Sequence, residues 1–162
     1  MPCACRAARS RVAELDALKT GRLDTNTLLS QLAERGLAAT TQRLALFGAI
    51  LGATENHVSA EDLHRRVCEQ FPTLSRATVY NNLAVLAAAG LIERLETPDG
   101  ARYGPVAAPH LNLVCSVCGG ISDVLIGDPE IELLIARAAA TQQFSPRSSS
   151  MSVTGICAAC AV

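Results

Sequence analysis

The stretch that decides the fold is SRATVYNNLAVLAAAGLIERLETPDGARY, residues 75–103. Ser75 is a helix-capping residue type, able to accept from amide N–H groups that a first helical turn leaves unpaired. From Arg76 to Ala89 the side chains Val79, Leu83 and Leu86 recur at helical spacing with Asn82 among them, and Gly90 ends the run. The opposite side carries Ala77, Ala84 and Ala88, flanked by Tyr80 and Asn81. Small residues with a few hydrogen-bonding groups make a face suited to close approach to a nucleic-acid groove. After Gly90 the period changes. Leu91 to Glu96 and Arg102 to Val106 read as strands around the turn Pro98-Asp99-Gly100. A helix followed at once by a hairpin predicts a winged helix.

Working outward, Asp24 to Arg35 reads as a helix with Leu28, Leu29 and Leu32 on one face, stopped by Gly36. Thr40 caps a second helix bearing Leu44, Phe47, Ile50 and Leu51; Ser59-Ala-Glu-Asp62 resembles a capping box opening a third, with Leu63 and Val67 inward. Short helices on short turns give a helix-turn-helix core. His64, Cys68 and the Arg65-Arg66 pair read as packing or surface residues. On the C-terminal side, residues 104–109 read as a hinge, followed by strand, strand, helix and strand. The helix opens at Asp128-Pro129-Glu130, and Ile131, Leu134, Ile135 and Ala138 are expected to form its buried stripe. The fold class is therefore α+β: an extension over residues 1–23, a winged helix-turn-helix DNA-binding domain over 24–104, and a small α/β domain over 105–162.

Two pairs, Cys115-Ser-Val-Cys118 and Cys157-Ala-Ala-Cys160, carry the metal signal. Structural Zn²⁺ takes four thiolates in a tetrahedron, and a two-residue spacer lets both sulfurs of a pair face one ion. The same thiols could instead form a redox switch, in which oxidation ejects zinc. The 162 residues are 49% hydrophobic and 18% charged, enough for a packed core, with a net charge of −1. With no overall basic footprint, nucleic-acid binding has to rest on a local patch. Seven grouped cysteines, no apolar leader and no long apolar run suggest a soluble cytoplasmic protein that does not enter a membrane. The N-terminal Cys3 and Cys5 form a CxC that could bind metal or form a disulfide, although such a tail pair is more often inert. No nucleophile–base constellation or phosphate loop points to an enzyme.

In order along the chain, Thr40-Thr-Gln-Arg43, His57-Val-Ser-Ala-Glu-Asp62, Ser75-Arg-Ala-Thr-Val-Tyr-Asn-Asn-Leu83, Arg102-Tyr103, His110, Cys115-Ser-Val-Cys118-Gly119 and Gly155-Ile-Cys-Ala-Ala-Cys160 resemble the ferric uptake regulator (Fur) family. The wording Ala77-Thr-Val-Tyr-Asn-Asn-Leu83 is most similar to its peroxide-sensing branch. The resemblance implies a homodimeric, metal-dependent transcriptional repressor that controls metal homeostasis or a peroxide response. It would bind a double-stranded DNA operator through Thr40, Arg43, Ser75, Arg76, Thr78, Tyr80 and Asn81. It further implies structural Zn²⁺ on Cys115, Cys118, Cys157 and Cys160, and a regulatory Fe²⁺ or Mn²⁺ on His57, His110 and Asp123. Three positions depart from the family pattern. Asn112 replaces the second histidine of an HxH pair, Gly104 replaces the ligand after Arg102-Tyr103, and Ala38 replaces a basic residue. Those departures leave open a regulator with structural zinc only and no working metal sensor.

Overall fold

The computed structural model describes residues 24–53, 57–106, 110–125, 129–146 and 151–161. The chain forms two compact units divided after Val106. In the first, α1 (Thr25–Glu34), α2 (Thr41–Leu51), α3 (Ala60–Cys68) and α4 (Arg76–Ala88) pack with β1 (Val58–Ser59), β2 (Ile92–Thr97) and β3 (Gly100–Pro105). Each helix starts on a side-chain cap: Asp24 accepts from the amide of Asn26, Thr40 from Arg43, Ser59 from Asp62 and Ser75 from Thr78. Such caps are worth about 1 kcal/mol each. Gly36 and Gly90 end α1 and α4 at φ +68° and +67°. The left-handed turn at Gly90 lets the amide of Leu91 reach back 3.0 Å to the carbonyl of Leu86.

One apolar cluster holds this unit together: Leu28 and Leu32 from α1, Leu46, Phe47 and Ile50 from α2, Leu63 and Val67 from α3, and Val79, Leu83 and Leu86 from α4. Ile92 and Tyr103 of the hairpin close it from the other side. The sheet order is β1-β3-β2, wholly antiparallel, with Val58 opposite Tyr103 and Glu93 opposite Gly104. Two contacts fix α4 further. Arg35 donates to the carbonyl of Ala89, and Arg43 Nε donates to Asn82 Oδ1 at 3.2 Å.

In the second unit β4 (His110–Cys115), β5 (Ile121–Leu125) and β6 (Met151–Gly155) form a sheet ordered β5-β4-β6, with α5 (Pro129–Thr141) in the crossover. β4 pairs antiparallel with β5 and parallel with β6. Residues directly opposite on neighbouring strands share a face, so Leu111, Leu113, Val124, Met151 and Val153 lie together. Leu113, Val124 and Val153 on that face are 40%, 42% and 50% exposed. The stripe expected to be buried on α5 is not buried: Leu134 is 60% exposed, Ala138 is also exposed, and Ile131 and Ile135 are half-buried. Helical periodicity marks a face that wants covering, but not whether its cover comes from the same chain.

Truncating Leu83, which has no exposed surface, to Ala should cost about 3 kcal/mol. Ala84→Ser on the exposed side of the same helix should stay within about 0.5 kcal/mol. Urea unfolding of the two variants checks both values.

Candidate metal centres and nucleic-acid interface

The knuckle between β4 and β5 places Cys115 and Cys118, and the turn after β6 places Cys157 and Cys160. Parallel pairing of β4 with β6 puts Cys115 opposite Gly155, so the second pair arrives beside the first. All four Sγ atoms lie within 4.8 Å of one another, with Cys118 and Cys157 at 4.0 Å. A disulfide needs about 2.05 Å, and none of the four is joined in one. Four sulfurs at about 2.3 Å from a tetrahedral Zn²⁺ sit roughly 3.8 Å apart, so the donor set fits that ion. The amide of Cys157 donates to Cys115 Sγ at 3.4 Å. With further backbone donors at Cys118 and Val117, it pulls the Cys115 thiol down to about 6. That sulfur is largely thiolate at neutral pH before any metal arrives. Four protein ligands leave no open coordination position, so the chemistry on offer is structural.

A second candidate lies in the first unit and includes a residue that the motifs did not mark. His57 immediately precedes β1, and the β1–β3 register continued by one step sets it opposite Gly104. Glu93 on β2 is opposite Gly104 from the other side. Gly104 occupies the middle strand without a side chain, and across it His57 Nε2 stands 3.5 Å from Glu93 Oε2. Their side chains are only 2% and 10% exposed. An imidazole and a carboxylate buried together form the kind of N/O pair that holds divalent first-row metals. Of the other expected ligands, Asp123 stands opposite Asn112, and His110 opposite Leu125, so both share one face of the second sheet. Asn112 itself is fully buried and donates to the carbonyl of Met151 at 3.5 Å, tying β4 to β6.

The expected DNA-binding residues divide by geometry. Arg76, Tyr80 and Asn81 are exposed on α4 opposite buried Val79, Asn82, Leu83 and Leu86. The hydroxyls of Thr40 and Ser75 are engaged as caps, and Ser75 Oγ is 2.8 Å from Thr78 Oγ1. Arg43 is half-buried, turned onto Asn82 and the carbonyl of Ala38. His64, one of the residues read as packing, bonds the carbonyl of Leu74 at 2.9 Å, just ahead of the Ser75 cap.

A model of the ferric uptake regulator family matches residues 34–154. The chain belongs to that family. Among Fur-family relatives, the peroxide operon regulator of Bacillus subtilis is 32% identical over 134 residues, 82% of this chain and 90% of that protein. The ferric uptake regulator of Pseudomonas aeruginosa, solved with manganese, superposes with a TM-score of 0.67 at 25% identity, covering 80% of this chain and 97% of that one. A zinc uptake regulator solved with zinc and DNA gives 0.58 at 25% identity, covering 86% and 97%. Fur-family proteins are transcription regulators rather than enzymes. No described helix is long and apolar enough to cross a membrane.

Replacing Cys157 by Ser should abolish stoichiometric zinc retention by metal analysis, since three thiolates and a hydroxyl make a far weaker site. Protons compete with metal at Cys115 only once the pH falls through about 6. Zinc affinity should therefore fall more steeply below that pH than between 7 and 8, measurable by competition with a chromophoric chelator.

Proposed function

We propose that this protein is a metal-dependent transcriptional repressor that binds an operator as a homodimer. The observation that carries the reading is the combination, within residues 24–106, of a capped helix with an exposed, small-residue face and a buried His57–Glu93 pair on the adjoining sheet. α4 enters the major groove, with Tyr80 and Asn81 against base edges and Arg76, Ser75 and Thr78 toward phosphate. Thr40 lies at the margin of that footprint. Arg43 serves by fixing the angle of α4 through Asn82. That a zinc uptake regulator of similar fold was solved with zinc and DNA supports DNA as the partner.

Cys115, Cys118, Cys157 and Cys160 hold structural Zn²⁺ that secures β6. The regulatory Fe²⁺ or Mn²⁺ is held in the first unit by His57 and Glu93; His110 and Asp123 are the further donors that the family resemblance implies. A bound ion favours DNA binding only to the extent that it binds the DNA-competent arrangement better than the alternatives. The exposed apolar residues Leu113, Val124, Val153, Leu133 and Leu134 are the surface that a second copy covers.

The decisive experiment uses zinc-loaded protein and a duplex enriched by it from a randomised pool. Adding Mn²⁺ or Fe²⁺ should tighten binding at least tenfold. Glu93→Gln and His57→Ala should remove most of that gain while retaining the four-thiol zinc. Gly104→Val, which puts a branched side chain between the pair, should do the same. Affinity indifferent to both metals would leave a DNA-binding protein with structural zinc alone.

A further inference from the structure

Glu61 is exposed in the first turn of α3 and accepts a hydrogen bond from Tyr80, Oη to Oε1 2.7 Å. Tyr80 is 45% exposed and points from the outer face of α4. Arg76 lies one turn earlier on that face. The bond holds the Glu61 carboxyl below its ordinary range and raises the phenol above its own, so the carboxylate stays charged and the phenol stays protonated. A negative group beside a nucleic-acid-reading side chain needs a reason, because it repels every phosphate that approaches.

We propose that Glu61 is a positioning and specificity-determining residue of the DNA interface: by accepting the Tyr80 hydroxyl's hydrogen bond it makes Tyr80 a reader of bases rather than an anchor for phosphates. The inference rests on the assignment of α4 as the DNA-reading helix. A phenol has one proton to donate. With that proton donated in a hydrogen bond to Glu61, only the oxygen lone pairs and the ring remain for DNA. Phosphate offers acceptors alone, so Tyr80 cannot bond it without leaving Glu61. Major-groove edges do offer matching groups: the amino protons of adenine N6 and cytosine N4, and the thymine methyl for the ring. The charge of Glu61 weakens binding in every register alike, so discrimination falls to the base contacts that the oriented Tyr80 makes.

The test measures the affinity of wild type, Glu61→Gln, Glu61→Ala, Tyr80→Phe and the Glu61→Ala/Tyr80→Phe double variant for two duplexes. One is the duplex enriched by the wild type, the other a scrambled duplex of equal length, each over a range of salt. Glu61→Gln keeps an acceptor for the phenol and drops the charge. It should tighten scrambled-duplex binding about threefold for each carboxylate removed, in line with an exposed charge interaction, with a steeper salt dependence. Its base preference should survive. Glu61→Ala should in addition flatten the preference at the base pair that Tyr80→Phe also flattens, and the double variant should be no worse than either single one. A base preference in Glu61→Ala equal to that of the wild type, or additive losses in the double variant, overturns the proposal. If Tyr80→Ala and Asn81→Ala both leave both affinities unchanged, the α4 reading itself fails, a result distinct from silent Glu61 variants on a helix that does read DNA.

Discussion

The second unit cannot hold itself together by burial alone, and much of the molecule's chemistry follows from that. Among its described residues only Val114 and Cys115 are buried hydrophobics, whereas the first unit buries an apolar cluster drawn from four helices and a hairpin. A unit spanning residues 107–162 is of a size at which covalent, metal or intersubunit staples commonly stand in for a core. The four thiols meet that need. They join segments about forty positions apart in sequence, and the parallel β4–β6 ladder ends where they converge. In the proposed dimer, the exposed apolar sheet face and α5 would supply the other staple.

The first unit shows the opposite arrangement, a complete core that leaves one helix face free. α4 buries Val79, Asn82, Leu83 and Leu86 and is pinned at both ends: Ser75 and the His64-bonded Leu74 at its start, Arg35 on Ala89 at its finish. Asn82 is a polar residue inside this face, and it is satisfied twice, donating to the carbonyl of Thr78 at 2.9 Å and accepting from Arg43. A directional contact of that kind sets the helix rotation more sharply than aliphatic packing does. The rotation decides which residues face outward.

Most of this architecture was legible in the chain because caps, helical periods and turn residues are local signals. Ser75, Gly90 and Pro98-Asp99 were enough to define α4 and the hairpin, and the paired cysteines defined the clasp. The two-residue strand β1 had no signal of its own, since its pairing with β3 is settled by tertiary contact. The exposure of α5 was equally hidden, because an amphipathic period does not say which chain covers it. Glu93 escaped for a related reason: nothing in Gly90-Leu-Ile-Glu-Arg distinguishes a surface glutamate from one turned inward beside a histidine.

The glycine at position 104 gives that last point a wider meaning. Read along a single strand, it is a vanished ligand. Read across the ladder, the carboxylate sits one strand away, about 5 Å over, eleven positions earlier at Glu93. A β-sheet makes neighbouring strands interchangeable as suppliers of the same functional group, so a binding site can migrate through the sequence while staying in place in space. Inventories of such sites are better taken over pairs of facing residues than over columns of aligned ones.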